Sequence, residues 1–76
     1  MYSREDIVRL EALTLDALKH VSNREYAFAH IPALREILRF HEYRYYVEND
    51  PLIADFEYDQ LYKTLEDIEK ERPDLV

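Results

Sequence analysis

Two short groups of tyrosines and aspartates are the residues whose types and spacing best suit ligand binding. Asp55, Tyr58 and Asp59 have i, i+3 and i+4 spacing, so on a helix they project from one side of one turn. A helix's first turn also offers unpaired backbone N–H groups and the positive end of the helix dipole, which favour a phosphate. Tyr45 and Tyr46 precede this group by a short connection. Aromatic faces together with carboxylate acceptors suit a nucleotide that carries a cationic base.

The same residues also have a purely structural interpretation. Asp55 would be the N-cap of a helix, Asp59 would compensate the helix dipole, and Tyr58 would be a core residue with its hydroxyl at the surface. Spacing alone leaves both interpretations open.

Other kinds of catalytic or metal site find little support in the sequence. The three histidines, His20, His30 and His41, are too far apart to form a recognised metal motif. His41 falls on the apolar face of a predicted helix, where we expect a hydrogen-bonded packing role. The chain has no cysteine, which excludes disulfides and thiolate metal sites. It also has no glycine, which excludes a P-loop, a dinucleotide fingerprint and a nucleophile elbow.

Hydrophobic periodicity and capping signals predict a small all-α domain. The first helix is expected over about residues 4–21, with Ser3 as the N-cap and Asp6 in the capping-box position. Its apolar face is wide, which predicts contact with more than one neighbour. Three residues widen this face: Val8, Leu13 and Leu15.

The second helix is expected to begin close to Pro32, because proline is tolerated in the first turn of a helix. It should reach about Glu48, and residues 25–30 before it could form a separate helical turn. The following Asn-Asp-Pro run predicts a turn, since proline disfavours helical geometry in the residue before it. The third helix is expected to open at Asp55 as its N-cap and to stop at Pro73.

These helices predict a single domain with a simple arrangement. The second and third helices would form an antiparallel hairpin, with the first helix packed across them. Residues 1–31 would be an N-terminal extension helix with its connector, and residues 32–76 would be the hairpin.

The charge and the N-terminal sequence constrain location and partners. A net charge of −7 repels polyphosphate backbones, so direct nucleic-acid binding is disfavoured. The N-terminal residues include early acidic side chains and no uninterrupted apolar run, which is unlike a signal peptide or a membrane span. We therefore expect a cytoplasmic protein that does not associate with a membrane.

Four elements follow one another at fixed spacing between Leu34 and Val76. They are a His-x-Tyr-x-Tyr-Tyr run beginning at His41, an Asp-Pro turn at residues 50–51, an Asp-x-x-Tyr-Asp run at residues 55–59, and an ending with Leu-Glu at residues 65–66 and Pro-Asp-Leu at residues 73–75. This ordered set resembles the N-terminal Ia domain of the bacterial NAD+-dependent DNA ligases. The resemblance covers a little over half of the chain.

The resemblance implies a helical module that recognises the nicotinamide mononucleotide (NMN) half of NAD+. In that family the module presents NMN so that a lysine of the adjoining adenylation domain can attack the AMP phosphorus. Five positions match the family's NMN contacts: Tyr45, Tyr46, Asp55, Tyr58 and Asp59. Family members carry either histidine or tyrosine at the position of Tyr46, so this residue is compatible with the pattern.

Two departures from the family shape the functional prediction. The catalytic motif Lys-x-Asp-Gly cannot occur in a chain without glycine. The first helix has no clear equivalent in the family pattern that the chain resembles. We therefore predict a stand-alone, non-catalytic module in a DNA-repair context that cannot ligate DNA alone. Its binding of NAD+, through the NMN moiety, would be weak or vestigial, because half of the pocket would belong to another domain.

Two alternatives remain open from the sequence. The first is a protein-interaction module, in which the first helix and the acidic surface bind a protein partner or a second copy while the ligase-like motif serves as scaffold. The second is the N-terminal piece of a full ligase, which the extra helix opposes.

Overall fold

The computed structural model describes residues 2–75, except for the side chain of residue 75. The described residues contain no strand, which confirms the all-α prediction. None of the described helices is long and apolar enough to cross a membrane. In chain order the helices are α1 (Arg4–Lys19), α2 (Arg24–Ala29), α3 (Ile31–Tyr46), α4 (Asp55–Glu71) and a short 3₁₀ helix (Pro73–Leu75).

Helix α1 begins with the capping box that the sequence predicts. The Ser3 hydroxyl accepts a hydrogen bond from the Asp6 N–H at 3.1 Å, and the Asp6 carboxylate accepts one from the Ser3 N–H at 3.3 Å. The helix ends at Lys19, slightly earlier than predicted. His20 forms the C-cap there, and its Nδ1–H donates to the Asp16 carbonyl at 2.8 Å, which satisfies one of the last carbonyl groups.

Helices α2 and α3 begin close to the positions predicted from the sequence. Asn23 is the N-cap of α2, and its side chain accepts a hydrogen bond from the Tyr26 N–H at 3.1 Å. Helix α2 is thus the separate helical turn predicted before the proline. Helix α3 begins at Ile31, so Pro32 lies in its first turn, where a missing N–H costs no intrahelical hydrogen bond.

The N-cap of α4 is Ala54, so the prediction that Asp55 caps this helix was wrong. Ala54 has extended backbone angles (φ −75°, ψ 156°), and Asp55 is the first helical residue. The capping interaction comes from Glu57, whose carboxylate accepts a hydrogen bond from the Ala54 N–H at 2.8 Å.

Helices α3 and α4 form the predicted antiparallel hairpin. Arg35, near the start of α3, donates to Glu69, near the end of α4, at 2.9 Å. At the other end of the hairpin, Tyr58 in α4 lies close enough to Glu42 in α3 for this carboxylate to raise the pKa of the phenol. Helix α1 packs against both members of the hairpin.

The main apolar cluster lies where the four helices meet. Helix α1 contributes Ala17 to this cluster, and Leu10 is also fully buried, so its inner face has two neighbouring helices as predicted. Val8 and Leu15, however, are 62% and 64% exposed, so the widened edge of the apolar stripe faces solvent. The cluster consists of Ala17, Ala27, Ile31, Leu34, Ile37, Leu38, Leu61, Leu65 and Ile68.

Candidate functional site

The connection between α3 and α4 and the two helix ends beside it form a pocket of about 320 Å³. Asn49 turns the connection with a left-handed backbone angle (φ 53°), a conformation that asparagine tolerates well. Arg44 stabilises the connection, because its guanidinium donates to the Asp50 carboxylate at 2.7 Å and to the Asp50 carbonyl at 3.1 Å. The lining consists of His41, Glu42, Tyr45, Tyr46, Pro51, Leu52, Ile53, Ala54, Asp55, Tyr58 and Asp59.

All five residues that the sequence singled out line this pocket. Tyr45 and Tyr46 lie at the end of α3 with their rings edge to face, the centroids 4.9 Å apart and the planes at 74°. Tyr45 is 48% exposed and Tyr46 is 78% exposed, so both rings are available to a ligand. Asp55, Tyr58 and Asp59 come from the first turns of α4. The structure brings the five residues together, and their role as ligand contacts stays a prediction.

Tyr58 forms a protonated part of the pocket. Its side chain is half-buried and lies near the Glu42 carboxylate. Burial, followed by the negative charge of Glu42, raises the pKa of Tyr58 to about 12. The phenol therefore keeps its proton at neutral pH and acts as a hydrogen-bond donor, not as a base.

The pocket carries negative charge from three carboxylates, Glu42, Asp55 and Asp59. Its lining includes no lysine or arginine among the described residues. A site of this kind favours a cationic or neutral ligand group over an anionic one. Glu42 was not among the residues predicted from the sequence, although its i−3 spacing from Tyr45 places it on the same side of α3.

His41 belongs to the lining but is itself 4% exposed. Its Nε2 lies 2.9 Å from the Thr14 hydroxyl in α1, which confirms the predicted hydrogen-bonded packing role. Burial, followed by the positive charge of Arg44, lowers the pKa of His41 to about 4, while Glu57 acts in the opposite direction. The imidazole is therefore neutral at pH 7. No cluster of three or more metal-binding side chains occurs among residues 2–75.

The hairpin and its pocket belong to a known family of domains. Residues 24–76 match the family model described as the DNA ligase-like, N-terminal NAD+-binding domain. This match covers well over half of the chain, so the chain belongs to this family, as the resemblance predicted.

The chain is also similar to individual bacterial DNA ligases. It is 47% identical over 81 aligned positions to the DNA ligase of Sulfurihydrogenibium azorense, an alignment that covers 100% of this chain and 11% of the relative. The DNA ligase of Sulfurihydrogenibium sp. strain YO3AOP1 is 44% identical with the same coverage. The DNA ligase of Acetivibrio thermocellus is 63% identical over 43 residues, which is 57% of this chain and 6% of that ligase. The chain thus spans 11% or less of the length of these relatives. No solved structure matches it significantly.

The comparison changes the interpretation of the first helix. Both Sulfurihydrogenibium ligases align over the whole chain, so α1 has counterparts in the family. The expectation that this helix is foreign to the family was therefore wrong. The helix no longer argues against the chain being the N-terminal piece of a longer ligase.

Proposed function

We propose that this domain recognises the NMN half of NAD+ in the pocket between α3 and α4. The observation that carries the proposal is the presence, in one pocket, of all five residues that match the family's NMN contacts. The NAD+-binding description of the family supports the same ligand class.

The chemistry of the pocket fits a pyridinium nucleotide. The oxidised nicotinamide ring is a planar cation, and it packs favourably on the aromatic faces of Tyr45 and Tyr46. Carboxylates such as Asp55 and Asp59 accept hydrogen bonds from ribose hydroxyls and from the carboxamide. The beginning of α4 offers backbone N–H groups to the phosphate.

The domain binds and orients the nucleotide but does not itself transfer the adenylyl group. The family's reaction uses the lysine of a Lys-x-Asp-Gly motif, and this chain contains no glycine. Affinity for free NMN is weak, because the family pocket is completed by the adenylation domain. This proposed role, binding and orienting the nucleotide, is the same for a stand-alone module and for the N-terminal part of a ligase that seals DNA during repair.

Asp59→Asn is expected to weaken NMN binding about tenfold, because it removes a charged acceptor that faces a cationic ligand. Isothermal calorimetry or a chemical-shift titration measures the change. Asp67→Asn is the matched control, since Asp67 is also exposed on α4 but lines a different depression beside Asn23 and Lys63. An equal loss in both variants would indicate a general charge effect and contradict the proposed contact.

A second function, protein interaction, is favoured by the outer face of α1. Val8 and Leu15 are both more than 60% exposed and have i, i+7 spacing, with the exposed Ala12 between them. This spacing forms an apolar strip of the kind that pairs with another helix. A second copy of the domain presents the same strip, so a symmetric pair of α1 helices would cover it.

Leu15→Lys is expected to abolish this association, because it replaces one of the two large apolar side chains of the strip with a charged one. Light scattering after gel filtration should detect dimers of the unmodified domain at high concentration and monomers of the variant. Val47→Lys is the control, since Val47 is 66% exposed at the far end of α3. A domain that remains monomeric up to millimolar concentration would refute self-association through α1.

A further inference from the structure

We propose that Thr14, in α1, is a positioning residue for the nucleotide pocket, because it fixes the orientation of the His41 ring in the pocket lining. This inference rests on the proposed recognition of NMN. It assigns a binding role to a helix that lies outside residues 24–76, the part of the chain that matches the family model.

The hydrogen-bond geometry around Thr14 determines the direction of each bond. The Thr14 hydroxyl donates its single proton to the Leu10 carbonyl at 2.6 Å. The oxygen can then only accept from His41 Nε2, which lies 2.9 Å away. His41 is therefore held as the Nε2–H tautomer. Both side chains are buried, with 2% exposure for Thr14 and 4% for His41, so water does not compete for this bond.

The other ring nitrogen shows why the tautomer matters. His41 Nδ1 is buried and has no hydrogen-bond partner among the described residues. In the opposite tautomer this nitrogen would carry a buried, unsatisfied proton. The Thr14 hydroxyl would also have to turn from the Leu10 carbonyl to Nε2, with loss of the shorter bond. Thr14 thus selects one tautomer and one ring orientation.

The other two histidines have a different kind of support. His20 and His30 donate through Nδ1 to carbonyl groups four residues earlier, at 2.8 and 2.7 Å. Both rings are also stacked on Tyr26, with centroids 4.5 and 4.0 Å apart. Among the three histidines, only His41 has a ring nitrogen within hydrogen-bond distance of a side chain from another helix, and only His41 lines the pocket that also holds Tyr45 and Tyr58.

The ring of His41 influences the ligand contacts through its place in the pocket wall. His41 and Tyr45 have i, i+4 spacing and lie on the same side of α3. If the hydrogen bond to Thr14 is removed, the imidazole can rotate and change tautomer, and the wall next to Tyr45 changes shape. Packed interiors transmit such a displacement because they contain little empty space. We expect NMN affinity to fall although Thr14 itself does not contact the ligand.

The test is an NMN titration of three variants with heteronuclear NMR detection. Thr14→Val, which keeps the side-chain shape, should bind NMN about five- to tenfold more weakly, the equivalent of one lost hydrogen bond. Thr14→Ser keeps the hydroxyl and should bind NMN like the unmodified domain. Thr64→Val is the matched control, because the Thr64 hydroxyl also bonds to a carbonyl four residues earlier (2.7 Å) and lies 3.2 Å from the Val21 carbonyl, away from this pocket. It should leave NMN affinity unchanged.

The imidazole ¹⁵N shifts of His41, recorded without ligand, distinguish a loss of the Nε2–H tautomer from a general loss of stability. The unmodified domain and Thr14→Ser should show the Nε2–H tautomer, and Thr14→Val should show a mixture. Folded Thr14→Val that binds NMN as tightly as Thr64→Val would overturn the positioning role. Failure of the unmodified domain to bind NMN would instead overturn the proposed function on which this inference rests.

Discussion

Replacing Phe40 with alanine is expected to lower the free energy of unfolding by about 3–5 kcal/mol. Phe40 is 0% exposed and is the largest of the fully buried side chains. Its ring packs edge to face against Tyr2 and His41, with centroids 5.0 Å apart in both pairs. A domain of this size has a total stability of about 4–11 kcal/mol, so the variant would lose much of it. Urea denaturation followed by circular dichroism measures the loss.

Phe56→Ala provides the matched control for this prediction. Phe56 is 66% exposed on the first turn of α4, and its removal leaves no cavity. The change in stability should stay within about 0.5 kcal/mol. Similar losses for Phe40→Ala and Phe56→Ala would contradict the placement of Phe40 in the interior.

His41 is expected to make the domain less stable by about 3 kcal/mol as the pH falls from 6.5 to 4. The folded pKa of about 4 lies below the ordinary value of 6.5, mainly because the ring is buried. Between these two values the unfolded chain binds a proton that the folded chain does not bind. The stability is therefore complete above pH 6.5 and is lost as the pH falls towards 4. Arg44 from α3 reinforces the low pKa, and Glu57 from α4 opposes it.

His41→Gln isolates this contribution, because glutamine can still donate to Thr14 but does not titrate. The difference in unfolding free energy between the two proteins should depend on pH between 6.5 and 4.5. Glu36 also destabilises the fold on acidification, since its pKa is lowered by Arg9, but that loss begins only near its ordinary value of 4.5. Identical pH profiles for the two proteins would show that His41 titrates normally.

Much of the fold could be predicted from local signals. The capping box at Ser3, the proline near the start of α3 and the Asn-Asp-Pro turn each fix one helix boundary through nearby residues, and all are found where the sequence indicates. The gathering of the five candidate residues also follows from local geometry, because a short connection brings the end of α3 next to the start of α4.

The details that the sequence did not predict depend on competition or on distant contacts. Both Asp55 and Glu57 carry a carboxylate suited to the start of α4, and the choice between them depends on the backbone at Ala54, which no pattern specifies. The bond between Thr14 and His41 joins residues 27 positions apart. Periodicity indicates which face of a helix is buried, but it does not identify the partner across the interface.

The most direct test of the proposed function is a ¹⁵N-HSQC titration of the unmodified domain with NMN, with nicotinic acid mononucleotide as the control ligand. We predict saturable shifts at millimolar NMN that are confined to the pocket around Tyr45, Tyr58 and Asp59. The control ligand should bind more weakly, because its additional carboxylate is repelled by the acidic lining. The absence of saturable shifts at millimolar NMN, or shifts confined to the depression beside Asn23 and Lys63, would contradict NMN recognition in this pocket.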